Sequence, residues 1–204
     1  VADAGDPVDI RGIENPTRRR VLDVVARLFV EKGFHATGVN DMTIAAGLGK
    51  GALYYHIGSK EQVLFDISME LTEGVLHATR RVVEQPGTPE DHSRGLARAL
   101  LRDHAANGEG WVVAVREARF LSPEHQLQLN AARDEIERIW RDVFDRGADA
   151  GSWRRLDSVE VRGILGMINS ARRWMDPRGP LSPDEIADRY IALVLDGIGI
   201  GRER

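Results

Sequence analysis

Apolar residues recur at helical spacing along most of this chain. Val21, Val24, Val25, Leu28 and Phe29 form one stripe with a period near 3.6 residues, and Gly33 stops the run. Asn15 followed by Pro16 supplies a capping side chain and a first-turn proline for this helix. Two short helices follow at about 39–46 and 50–56, separated by Gly47-Leu48-Gly49. Ser59-Lys60-Glu61-Gln62 then reads as a capping box. The stripe Val63, Ile67, Leu71, Val75 and Val82 continues from it to the break at Gln85-Pro86-Gly87. At 1.5 Å per residue that fourth helix spans roughly 35 Å, enough to join two parts of the molecule rigidly.

The same start signal repeats downstream. Thr88-Pro89, Ser122-Pro123 and Ser182-Pro183 each set a hydroxyl cap before a proline, and Asp157 with Glu160 makes a further box. These signals predict helices near 89–106, 110–121, 123–150, 158–175 and 183–198. No alternating pattern competes, so the expected fold is all-α, with about nine helices. A disordered arm is expected over residues 1–14, a three-helix helix-turn-helix head over 15–58 and a helical bundle over 59–204.

The head carries the clearest chemistry. A glycine-bearing turn lets two short helices meet steeply and presents the second to a DNA major groove. Met42, Ala46, Leu48 and Leu53 fall where the helices face one another, whereas Lys50, Ala52, Tyr55 and His56 fall on the opposite side. One face packs and the other is free to read bases, so double-stranded DNA is the expected partner.

Charge supports that division. The net charge is −4. Residues 17–60, however, hold Arg18, Arg19, Arg20, Arg27, Lys32, Lys50 and Lys60 against only Asp23, Glu31 and Asp41. A basic head therefore sits on an acidic body, and phosphates respond to the local field because distant charges are screened. That imbalance disfavours an indiscriminate DNA-packaging protein.

With 204 residues, 42% of them apolar, the chain can bury a substantial core. It has no cysteine, which removes disulfide scaffolds, thiolate zinc sites and thiol nucleophiles and agrees with a reducing cytosol. Its six histidines never pair at i, i+4, so no helical metal site is expected. HExxH, GxSxG and the P-loop are absent, and neither enzymatic activity nor a cofactor is expected. The acidic, Pro/Gly-punctuated start lacks the character of a secretion signal, and no apolar run approaches the roughly 18 residues of a membrane span.

The final two helices are apolar over a wide arc. Ile164, Leu165, Met167, Ile168 and Trp174 lie in one, and Ile186, Tyr190, Leu193, Val194, Leu195 and Ile198 in the other. One face closes the internal core, and the second calls for another subunit. A twofold homodimer through helices 8 and 9 is expected, with Gly163, Gly166 and Ser170 permitting close approach.

The run Gly33-Phe34, Ala36-Thr37, Val39, Asp41, Ala45-Ala46-Gly47, Gly51, Leu53-Tyr54, His56 and Ser59-Lys60-Glu61 resembles the head of the TetR family of bacterial transcriptional repressors. The resemblance is strongest over residues 17–64. Beyond them the chain is similar only in helix number and in its capped final helices. Gly38 and Gly49 depart from the usual hydroxyl caps, Thr43 from a small alanine and Ile57 from an aromatic. Replacing a capping side chain by glycine costs only a few tenths of a kcal/mol.

The resemblance implies a cytoplasmic repressor that binds a pseudo-palindromic operator as a dimer and is released by a small molecule. It assigns Asn40, Lys50, Gly51, Ala52, Tyr55 and His56 to base-facing or nearby positions, and Tyr54 and Lys60 to phosphates. Lysine can serve guanine O6 and N7, asparagine can pair with adenine, and alanine or an aromatic ring can meet a thymine methyl. Arg18, Arg19 and Arg20 are further candidates for phosphate contact.

It also implies an effector pocket among helices 4 to 8, for which Trp111, Val115, Arg119, Phe120, Asn169, Arg173 and Trp174 are the candidate lining. Arg172-Arg173-Trp174 before a Gly-Pro turn is similar to the subset of the family that senses acyl-CoA thioesters, and guanidinium groups suit such phosphate-bearing ligands. The alternative is a multidrug-type pocket for hydrophobic cations, which requires a buried carboxylate; Glu117 is its best candidate.

Overall fold

A computed structural model describes residues 16–176 and 178–199. The expected arm over residues 1–14, and the cap expected of Asn15, lie outside them. Among the described residues are nine α-helices: α1 (Pro16–Lys32), α2 (Val39–Ala46), α3 (Lys50–Ile57), α4 (Lys60–Glu84), α5 (Pro89–Ala106), α6 (Gly108–Arg116), α7 (Pro123–Asp149), α8 (Ser158–Ser170) and α9 (Pro183–Ile198). Short 3-10 turns occupy Ala118–Phe120 and Ala171–Arg173. Among the described residues no helix is long and apolar enough to cross a membrane.

The caps explain most boundaries. Thr88, Asp157 and Ser182 each accept a backbone N–H while Asp91, Glu160 and Glu185 return the bond, so three helices begin on reciprocal boxes. At α4 only half of the expected box forms. Ser59 Oγ accepts from Gln62 N at 2.9 Å, but the Gln62 side chain turns to Asp66 Oδ1 instead. The Ser59 N–H that the box would use donates instead to Ile57 O at 2.7 Å, and Asp66, held by Arg18 of α1, accepts from the Gln62 amide.

Two predicted helices end early. The sixth stops at Arg116 rather than continuing to 121, and the chain tightens so that Phe120 stacks on Phe34 with ring centroids 5.5 Å apart. The eighth stops at Ser170, whose hydroxyl donates to Met167 O at 2.6 Å and competes with the helical ladder.

Two apolar cores result. The larger, in the bundle, centres on Trp140, Phe144, Leu101, Ile168 and Ile191. The smaller unites α1 to α3 with Val63, Leu64 and Ile67 of α4, and with Val113, Leu121 and Leu129 from the body. The head therefore shares its core with the bundle, and α4 enters both.

Candidate nucleic-acid interface and interior cavity

The helix-turn-helix follows from a few local interactions. Gly47 ends α2 at φ +64°, a left-handed conformation that L side chains rarely adopt, and Leu48 N then donates to Thr43 O at 3.1 Å. Leu53 and Ile57, one turn apart, bury completely on one face of α3. Met42 and Ala46 do the same on α2, and Leu48 is half-buried against this core. The opposite face of α3 is consequently outward, with Lys50, Gly51, Ala52, Tyr54 and Tyr55 all exposed. Tyr55 is 84% exposed and Tyr54 37%, so Tyr54 is not a core aromatic. His56 is half-buried with its ring edge-on to Tyr55, and Asn40 is exposed on α2.

Other basic residues are committed to the protein itself. Arg18 donates to Asp66 at 2.5 Å, Arg19 pairs with Glu70 and Asp23, and Arg20 reaches Ala46 O. These contacts clamp α1 to α4 and cap α2, so the three arginines named as candidates for phosphate contact have partners within the protein. Lys60 also has partners within the protein: its Nζ donates to Thr37 O at 2.9 Å and His35 O at 3.3 Å and lies 4.5 Å from the Phe34 ring centroid. Partial burial pushes its pKa down, and its work here is to hold the loop before α2.

Sequence reading also missed Ile44. It is 81% exposed on the outer side of α2, a large apolar group with no core to fill. Its position one turn after Asn40 is the only signal the sequence offers.

In the body, helices α4 to α8 and the two 3-10 turns line a cavity of about 420 Å³ that is open to solvent on one side, where Val115, Asp134 and Arg162 are exposed. Its lining follows helical spacing: Thr72 and Val75 on α4, Trp111 and Val115 on α6, Arg133, Ile136 and Glu137 on α7, and Arg162, Leu165, Gly166 and Asn169 on α8. Of the expected lining, Trp111, Val115 and Asn169 are present.

Arg119, Phe120, Arg173 and Trp174 are not. Arg119 lies over the Phe120 ring at the head–body junction, because the early end of α6 carries both residues towards Phe34. The end of α8 swings Trp174 outward to 55% exposure, with its ring edge-on to Tyr190, and leaves Arg173 exposed. Arg172 lines the cavity instead and donates to Asn169 O at 2.9 Å.

Arg133 and Arg162 are further cationic lining residues absent from the expected set, and Arg133 is the more buried. Half-buried on α7, it forms no hydrogen bond or ion pair among the described residues, and burial alone pushes its pKa down. Its spacing from Ile136 is visible in the sequence, but which face of α7 looks inward is a tertiary matter. Beneath the cavity, the His104 ring meets Trp111 edge-on at 5.0 Å, and neither ring nitrogen has a partner. Burial, with a smaller contribution from Arg172, lowers the His104 pKa to about 4 and keeps the ring neutral near pH 7.

Glu117, the carboxylate expected to attract a cation, is also accounted for. It is buried beside Arg116 Nε at 2.7 Å, outside the cavity. A larger cleft of about 560 Å³ separates α1 and α4 from the α5–α6 turn. Several of its charged groups already have partners: Arg19 pairs with Asp23 and Glu70, while Asp103 accepts from Trp111 Nε1 at 2.5 Å and from Asn107.

Comparison with known proteins adds the family. Residues 21–67 match the model for bacterial regulatory proteins of the tetR family, and residues 86–198 match the tetracyclin repressor-like C-terminal domain. The HTH-type transcriptional repressor KstR2 of Rhodococcus jostii is 30% identical over 199 residues, covering 94% of this chain and 96% of that protein. KstR2 of Mycobacterium tuberculosis is 28% identical over 192 residues, covering 93% of this chain and 96% of its own length. Among solved structures, the TetR family transcriptional regulator PfmR from Thermus thermophilus superposes with a TM-score of 0.81 at 36% identity, covering 90% of this chain and all of that one.

Proposed function

The chain belongs to the TetR family of bacterial regulatory proteins, transcriptional regulators rather than enzymes, and we propose that it is a dimeric repressor released from its operator by an acyl-CoA thioester. The observation that carries DNA reading is the outward face of α3. Lys50, Ala52 and Tyr55 stand in solvent on a helix whose other face is locked by Leu53 and Ile57. Asn40 and Tyr54 extend that surface, and Gly51 has open space beside its α-carbon. His56 borders it.

The domain division follows the same logic. Residues 15–58 present the reading face and 59–204 carry the effector cavity and the dimer surface, with the start of α4 and the shared core as their mechanical link. A DNA target in a bacterium also makes the cytoplasm its place of action.

Dimerisation is supported by α8 and α9. Val159 is 73% exposed and Leu193 65%, and a shallow groove between the two helices is lined by Ile164, Met167, Leu193 and Val194. Gly163 and Gly197 border that groove with nothing near their α-carbons, so a second copy can approach closely.

Arg133 and Arg172 support an anionic effector, whereas Glu117 is paired outside the cavity and Glu137, within it, is already held by Arg141 and Arg162. Acyl-CoA thioesters combine a hydrocarbon body with phosphates and suit such a lining. Selection from random duplexes tests the proposal. It should yield inverted half-sites about 34–36 Å apart, or a multiple of that, bound by two copies and released by acyl-CoA. Recovery of sequences without dyad symmetry would refute it.

A further inference from the structure

We infer that Arg133 is the anchoring residue of the cavity, and that the effector is an amphipathic anion whose oxyanion group pairs with the Arg133 guanidinium while its hydrocarbon body lies against Val75, Leu100, Trp111 and Ile136. The inference rests on the reading of this cavity as the effector site and adds the residue that selects the ligand.

A guanidinium presents five N–H donors in a planar fork, never loses its charge in proteins and is costly to bury unpaired. Glu137, Arg162 and Arg172 of the cavity have protein partners. Glu137 accepts from both Arg141 and Arg162, and Arg172 is held by Asn169 O. Asp134 is exposed and acts on Arg162. Arg133 is left without a partner in the same cavity as the fully buried Val75 and Leu100.

A carboxylate or phosphate can meet the guanidinium fork through two parallel bonds, an interaction a neutral or cationic hydrophobe cannot make. The Asn169 side-chain amide on α8, which also lines the cavity and has no hydrogen-bond partner among the described residues, offers a further donor. Hydrocarbon contacts alone would leave Arg133 as costly as before. The anion therefore supplies both orientation and selectivity.

The test uses the full chain with four probes: cyclohexanepropanoate, its CoA thioester, its methyl ester and hexyltrimethylammonium. Calorimetry should show one or both anions binding the wild type, and R133L and R133Q should weaken that binding about 10- to 100-fold, as loss of a charged hydrogen-bond partner does. R133K should recover part of the loss. Binding of the free acid would identify a carboxylate as the paired group, and binding of the thioester alone would identify a phosphate.

Before ligand is added, the Tm of R133Q should equal or exceed that of the wild type, because an unpaired charge has been removed. A clear fall in Tm in both variants would make Arg133 structural and overturn the inference. Equal affinity of wild type and variants, tighter binding of the ester or ammonium than of either anion, or no anion binding at all would also overturn it. Arg133-dependent binding that leaves operator affinity unchanged would uphold the anchor and refute the effector role.

Discussion

Arg116 of α6 donates from Nη2 to Phe29 O of α1 at 2.9 Å, joining the body to the last turn of the first head helix. Its Nε holds the buried Glu117 carboxylate at 2.7 Å. Trp111 and Val115, on the same short helix, line the cavity. A ligand that displaces α6 therefore pulls directly on α1.

Arg116→Ala should uncouple the two events. It leaves Glu117 buried without a cation, with an expected stability loss of about 1–3 kcal/mol. Operator binding should persist, but the effector should lose most of its ability to weaken it, since such couplings are only about 1–3 kcal/mol in total. Fluorescence anisotropy with and without effector measures the difference, and undiminished release in the variant would exclude this route.

Lys50 and Lys60 should separate by contact type. Lys50→Ala should cost about 1–3 kcal/mol at one operator base pair and relax specificity there. Lys60→Ala should show itself first as lower thermal stability, because it frees the carbonyls of His35 and Thr37. Binding isotherms on operator and scrambled DNA, beside melting curves, resolve the two.

Gly147→Ala should be destabilising despite the usual preference of helices for alanine. A β-carbon there would stand 1.8 Å from Trp153 Cζ2, and that indole is buried and donates to Phe144 O at 2.9 Å. The ring has no low-cost way to move, so a loss of about 1–3 kcal/mol or more is expected in urea denaturation.

His104 should make folding sensitive to acid. Its pKa falls from 6.5 in the unfolded chain to about 4 in the fold, so the unfolded state binds the extra proton between those values. Stability is therefore complete above pH 6.5 and declines towards pH 4, with a slope from this group approaching about 1.4 kcal/mol per pH unit. His104→Leu should flatten that part of the profile, and an unchanged slope would assign the acid sensitivity elsewhere.

The order of the helices, the turn at Gly47 and the outward set Lys50, Ala52 and Tyr55 were all legible in the chain itself. Each depends on neighbours within about one or two turns: a cap, a glycine, or the 3.6-residue spacing of Leu53 and Ile57. The cavity in the body was legible only in part. Trp111, Val115 and Asn169 were anticipated, but Arg133 could not be distinguished from any surface arginine of α7 until α4, α6 and α8 closed around it. Tertiary structure likewise turned Lys60 and Arg18 inward, paired Glu117 and carried Trp174 out of the cavity. Local sequence determined where helices start and what each face carries. Which face meets another helix, and which charge finds a partner there, depends on contacts between residues far apart in the chain, and only the folded structure decided those.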